Sequence, residues 1–306
     1  MIKKIEESLD KIPVLNKVVA LLKKVKIPTM KGLSLYDILE MYIIGIIRGA
    51  VTTRAAAIAF SFFMAIFPFF LFILTLIPFV EIENFQADFM AFIDDFLPPT
   101  TADSVDIIIV DIANNQYGGL LSFGFVTSIF LMTNGVNAIF GGFEDSYHVK
   151  ESRSVFRQYF IALGVSIALS IALLITVAVI IYIEMGIDKL KVIGVADDVN
   201  FWQDLGRVAA VIALIYTSIT ILYNFGVKDI HNRSFFTPGA TMTTILSIIS
   251  MYLFAIYVEK FAQYNQLYGS IGTLLIFMLF IWINAIVLLL GFELNASMSR
   301  LKKKHI

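Results

Sequence analysis

The chain has 306 residues, 58% of them hydrophobic and 15% charged, with a mean hydropathy of +0.84. A soluble globular chain carries about 25% charged and ~45–50% apolar residues, so a soluble fold is excluded and the chain reads as a polytopic membrane protein. The net charge of −1, from 23 Lys and Arg against 24 acids, excludes a nucleic-acid binder, which needs clustered cations to neutralise phosphates. The absence of cysteine excludes disulfides, thiolate metal sites and cysteine nucleophiles.

Residues 1–34 form the first segment. Leu15, Val18, Leu22 and Val25 recur at helical spacing with Lys17, Lys23 and Lys24 between them. That is the pattern of a basic amphipathic helix resting on anionic headgroups, or of a solvated helix. It lacks the apolar core and cleavage site of a signal peptide, so it is expected to persist in the mature protein. Residues 35–50 are apolar but carry Asp37, Glu40 and Arg48, and are expected to be an interfacial or re-entrant helix.

A spanning helix needs about 20 apolar residues, and stretches at 55–80, 119–140, 159–183, 205–225, 240–258 and 271–296 meet that length. The expected fold class is therefore all-α, with six transmembrane helices in a domain over 35–300 and a basic tail over 301–306. Pro68 in the first span is expected to kink the helix near Met64. Between the first and second spans, residues 81–117 hold eight acids and no Lys or Arg. Phe85, Phe89, Phe92 and Phe96 form one stripe, Pro98 and Pro99 a break, and Val105, Ile108, Ile109 and Ile112 a second stripe. The expectation is an amphipathic helical hairpin on the outer face.

Positive charge marks the cytoplasmic side. The segment through Arg54, the second and fourth loops and the C-terminal tail hold 19 of the 23 cations, and the alternate loops hold only Lys189, Lys191, Arg207 and Lys260. Both termini are therefore expected in the cytoplasm.

Ionisable and amide groups within spans are the default candidates for function. Arg54 at the start of the first span and Glu293 near the end of the last lie at similar depth. They read either as an ion pair fixing the helix ends, with Arg54 snorkelling to headgroups, or as a gate or headgroup-binding pair. Asn134 and Asn137 share a helix face with Gly141, and Asn284 shares one with Gly291 and Asn295. These amides are helix glue or the lining of a polar path. Ser166, Ser170, Thr243, Ser247 and Ser250 are expected to bond to their own helix backbone. Glu144, Asp145, His148, Lys150 and Arg153 in the second loop form a candidate headgroup or partner contact. Tyr264, Asn265, Tyr268, Gly269 and Ser270 form a candidate cluster at the outer edge.

The segment YGSIGTLLIFMLFIWINAIVLLLGFELNA (268–296) resembles the last span of the YihY / virulence factor BrkB family of bacterial inner-membrane proteins. RAAAIAFSFFMAIFPF (54–69), FEDSYHVKESRSVFRQ (143–158) and FFTPGA (235–240) match that family in place and order. The resemblance covers about Arg48 to Ser299, leaving out the N-terminal 34 residues. It implies a six-span α-helical protein of the bacterial inner membrane. Members of the family have been described as transporters, and many have carried a ribonuclease BN label. Metal-dependent phosphodiester hydrolysis needs clustered His and carboxylate ligands, whereas His148, His231 and His305 are each isolated in this sequence. The nuclease reading is therefore rejected, with no cofactor, metal or catalytic residue expected. No Walker phosphate loop occurs either. The expected function is transport of a small solute or of a lipid, a lipid-linked molecule or another amphiphile, the latter suiting the scarcity of intramembrane charge. The alternative is a non-transporting scaffold docking partners through its N-terminal helix and the 143–158 loop. Membrane lipids and a second copy of the chain are the expected partners, and nucleic acid is not one.

Overall fold

The computed structural model describes residues 34–76, scattered positions from 82 to 91, and residues 120–146, 148–149, 152–192, 199–228, 234–261 and 270–304. The expected N-terminal segment, most of the 81–117 hairpin, Lys150, the 264–269 cluster and the last two tail residues lie outside them. Seven helices are described: α1 (Leu35–Arg48), α2 (Val51–Leu76), α3 (Leu120–Glu144), α4 (Val155–Val192), α5 (Val199–Gly226), α6 (Pro238–Phe261) and α7 (Ser270–Lys304). No strand occurs among the described residues.

Helix α1 starts where its sequence supplies a capping box. The Asp37 backbone N–H donates to Ser34 Oγ at 3.3 Å, and the Ser34 N–H donates to Asp37 Oδ2 at 2.8 Å, so donors left over at the helix start are satisfied. It ends at Gly49, and Ala50 takes a left-handed φ of 45°, which costs a residue with a Cβ on the order of 1 kcal/mol. The Ala50 carbonyl then accepts from the Thr53 and Arg54 N–H groups and opens α2. The two helices meet at 60°. A sharp bend thus lies at Gly49–Ala50, and α2 runs as one helix from Val51 to Leu76 with Pro68 inside it.

Five helical segments, Val126–Glu144, Val155–Ile187, Phe201–Gly226, Pro238–Val258 and Leu274–Leu301, are long and apolar enough to cross a membrane; the bent pair α1–α2 supplies a sixth if counted as one span. Several helices overrun the expected spans. α4 has 38 residues and α7 has 35, because hydropathy registers only the apolar stretch and the helix continues into charged turns.

The helices pack in a ring. α2 lies against α3, α3 against α4, α4 against α5, α5 against α6 and α6 against α7, and α7 returns to α2. α3 also touches α5 across the middle, and α1 lies along α7. The main core draws on every member of the ring, from Ala55 and Ile58 through Phe140, Phe143, Val165 and Leu222 to Ala240 and Leu289. Near the α1 end it is filled by Phe143 stacked on Phe292, centroids 4.2 Å apart, with Tyr223 edge-on to both. Towards the other end, Phe85 and Phe89 pack with Phe70, Ile73, Leu174 and Val177. The first half of the expected Phe stripe therefore faces protein. Large apolar side chains such as Phe60, Phe130, Phe156, Trp202 and Leu253 point outward, as expected of a surface solvated by lipid.

Candidate functional site

The charged residues singled out from the ends of the chain meet in the structure. Arg54 on α2 donates through Nη2 to Glu293 Oε1 at 2.5 Å and through Nη1 to the Gly142 carbonyl at 2.7 Å. Glu293 is 0% exposed and Arg54 7%, so the guanidinium faces into the bundle. This corrects the snorkelling expectation. The carboxylate and the Gly142 carbonyl draw Arg54 inward.

Glu293 also ties down the α3–α4 loop. Ser146 Oγ donates to Glu293 Oε2 at 2.9 Å and accepts from the His148 N–H at 3.2 Å. His148 is buried, with Nε2 3.1 Å from the Met41 carbonyl of α1 and 3.9 Å from Glu293 Oε2. Its Nδ1 lies 3.4 Å from Arg300 Nη1. These contacts fit the neutral imidazole with its proton on Nε2, donating to Met41 while Nδ1 accepts from Arg300. Burial pushes His148 below the usual histidine range; Glu293 and the Met41 carbonyl act upward, Arg300 and Arg54 downward. Gly45 and Gly49 make room for this cluster. A Cβ on Gly45 would press on His148 Nε2 and Glu293 Oε2, and one on Gly49 on the Gly45 carbonyl and Arg54 Nη2.

The second-loop patch does not form as one surface. His148 turns inward to Glu293. Arg153 donates to the Phe225 carbonyl at 2.5 Å and the Val227 carbonyl at 2.8 Å, closing the end of α5. Half-buried Glu144 accepts from the Arg153 N–H at 3.2 Å, and Asp145 is exposed. The loop folds back because Ser146, His148 and Arg153 all find partners on the chain's own helices. Lys150 lies outside the described residues.

The amides divide as well. Asn295 accepts from the Gly239 N–H at 2.8 Å and donates to Thr237 Oγ1 at 3.0 Å, joining α7 to the start of α6, which is the glue role. Asn284 donates to the Phe280 carbonyl of its own helix at 2.9 Å, so it does not bridge helices as expected of glue. Asn134 and Asn137 are both half-buried on α3, and Asn137 Oδ1 is buried with no hydrogen-bond partner among the described residues. Ser166 and Ser170 bond to the Ala162 and Ser166 carbonyls as expected. Thr243 departs from expectation: its Oγ1 meets Tyr223 Oη at 2.6 Å, while Tyr223 donates to the Leu288 carbonyl at 2.7 Å. The Tyr223 hydroxyl therefore receives the Thr243 proton, linking α5, α6 and α7. Gly291 and Gly239 allow this approach, since a Cβ on Gly291 would collide with Thr243 Oγ1, Tyr223 Oη and the Gly239 carbonyl.

Tyr264, Asn265, Tyr268 and Gly269 lie outside the described residues, and of Ser270 only the backbone, at the start of α7, is described. Sequence reasoning missed Ser146, the Gly142 carbonyl, Tyr223 and Thr237. Within FFTPGA the Thr before Pro and Gly is a readable helix-start signal, and Thr237 Oγ1 does accept from the Ala240 N–H at 3.2 Å. Among the described residues no group of three or more His, Asp or Glu is placed to hold a metal.

A ring of apolar helices locked at one end by a buried Arg–Glu–His cluster defines a polytopic α-helical membrane protein. The family model described as Virulence factor BrkB matches residues 45–305, and the chain belongs to that family. It is similar to the ribonuclease-like protein YfkH of Bacillus subtilis (strain 168), 31% identical over 255 residues, covering 82% of this chain and 91% of that protein. Shorter likenesses reach a UPF0761 membrane protein of Xanthomonas axonopodis pv. citri, 30% identical over 90 residues, 29% of this chain and 21% of that one. Another is a UPF0761 membrane protein of Pseudoalteromonas translucida, 37% identical over 62 residues, 20% and 21% of the two chains. No solved structure matches.

Proposed function

We propose that the protein translocates a lipid or another amphiphile across the bacterial inner membrane, and that the Arg54–Glu293–His148 cluster closes its cytoplasmic mouth. In this reading residues 35–300 are the translocating domain, and both termini are cytoplasmic, as the distribution of Lys and Arg supports. The observation that carries the reading is the location of the charges. A buried ion pair is often no more stable than apolar side chains of the same volume, and its best-attested use is in setting register or switching. Here the charges sit where α1, α2, α7 and the α3–α4 loop converge on the end of the ring, the place for a gate. The outer apolar surface and the scarcity of intramembrane charge favour an amphiphile over an ion.

The scaffold alternative needs the 143–158 loop presented to partners, and the commitment of Ser146, His148 and Arg153 to the chain's own helices works against it. The test is reconstitution of the full chain into liposomes carrying fluorescent phospholipid. The protein is expected to move the label between leaflets faster than empty vesicles do. Vesicles that move neither labelled phospholipid nor test amphiphiles above the empty control would end this reading.

A further inference from the structure

The cluster joins cations, a carboxylate and an imidazole that can take up a proton. Glu293 and Arg300 come from α7, Arg54 from α2 and His148 from the α3–α4 loop. α1 contributes the Met41 carbonyl and the Tyr42 phenol, which lies in the field of Glu293. Neutral His148 joins the two helices that meet here. Its Nε2–H holds the Met41 carbonyl of α1 and its Nδ1 lone pair holds Arg300 of α7. A proton added at Nδ1 replaces that lone pair with an N–H aimed at a guanidinium, so a hydrogen bond becomes a like-charge contact. The imidazolium then competes with Arg54 for Glu293, 3.9 Å from its Nε2. The strip that yields is the small contact of Ile38 and Met41 with Leu294, Met298 and Leu301, because it is the apolar seam between α1 and the α7 tail.

We propose that His148 is a proton-binding latch. A proton taken from water at Nδ1 releases Arg300 and lets α1 lift from α7, an inference that rests on the reading of this end as a mouth and supplies protons as its trigger. Burial, which holds His148 below the ordinary range, makes the neutral, closed form the resting one at neutral pH.

The chain has no cysteine, so a single introduced thiol reports cleanly. Ile38→Cys sits under α1 against α7, at 4% exposure, and Ile43→Cys on the outer side of the same helix, at 51%, corrects for the pH dependence of thiol reactivity. The ratio of their maleimide labelling rates in the purified full chain is expected to rise about fivefold as pH falls from about 7.5 to about 5, with its midpoint below the ordinary histidine value of ~6.5. His148→Gln, which keeps a donor for Met41 and cannot charge, is expected to hold the ratio low and flat. Arg300→Gln, which removes a cation opposing the proton, is expected to move the midpoint upward. A flat wild-type ratio, a pH response surviving in His148→Gln, or an unmoved midpoint in Arg300→Gln would overturn the latch. The arms separate the two claims: a pH-dependent ratio in a protein that moves no phospholipid upholds the latch and ends the translocator, and phospholipid movement with a flat ratio does the reverse.

Discussion

Two polar knots hold the α1 end of the ring, and they are built on opposite principles. The Tyr223–Thr243–Asn295 knot is neutral. Its hydroxyls and amide meet partners on α5, α6 and α7, and glycines at 239 and 291 bring the backbones together. The Arg54–Glu293–His148 knot is charged, draws on both ends of the chain and one loop, and leaves Arg54 Nε without a partner among the described residues. Neutral, paired polar groups in a low-dielectric interior fix one arrangement. A charged group that includes a titratable imidazole has a second arrangement within reach, since its balance shifts with one proton. The first knot therefore favours a single arrangement, and under the proposed latch the second is the one that changes.

Removing one charge is the harshest way to break this contrast. Glu293→Ala leaves Arg54 buried without its counter-ion and is expected to cost ~3–5 kcal/mol, read from unfolding in detergent. Arg54→Met with Glu293→Met together is expected to recover most of that loss. Equal losses in the single and double variants would show that the two residues are not coupled. A smaller effect is expected at the neutral knot. Gly291→Ala drives a methyl group into Thr243, Tyr223 and the Gly239 carbonyl, an overpacking worth ~1–3 kcal/mol. Gly141→Ala, where a Cβ meets nothing within 4 Å, is the matched control and should change little.

Tyr223→Phe, the mildest change, removes the bonds to Thr243 and Leu288 for ~1–2 kcal/mol and sharpens the comparison through pH. His148 is held low in the folded protein, so the unfolded chain binds its proton more readily. Its contribution to stability is complete above ~6.5 and declines as pH falls from there towards the folded value. That slope is expected to persist in Tyr223→Phe and to flatten in His148→Gln, as followed by melting temperature across pH.

Much of the scaffold is legible in the sequence, for a plain reason. Lipid imposes length and hydropathy on each span, and a charge inside a span stands out against them, so Arg54 and Glu293 were both readable and their similar depth pointed to a pair. Asn295 was readable as glue from its face shared with Gly291. The loop was not readable. FEDSYHVKESR carries the charges of a solvated segment, and nothing in its spacing reveals that Ser146 and His148 turn under α1 while Arg153 caps α5. Those contacts depend on distant chain, and periodicity reports only neighbours. Tyr223 was passed over because nothing local distinguishes it from Tyr216 in the same span, and only the tertiary structure gives its hydroxyl Thr243. The elbow at Ala50 escaped because the left-handed backbone falls on a residue that does not favour it, beside a Gly that does.

The pairing of Arg54 with Glu293, 239 residues apart, also orders events during the making of the protein. At about 5–20 residues per second, the ribosome delivers the carboxylate roughly 12–48 s after the arginine. Through that interval the first long helix must wait in the bilayer with its cation in the keeping of water, lipid phosphate or the insertion machinery. The Gly142 carbonyl reaches it earlier, yet neutralisation comes only with the last helix. Nascent chains truncated before residue 293 would thus be those that quality-control proteases recognise as unfinished.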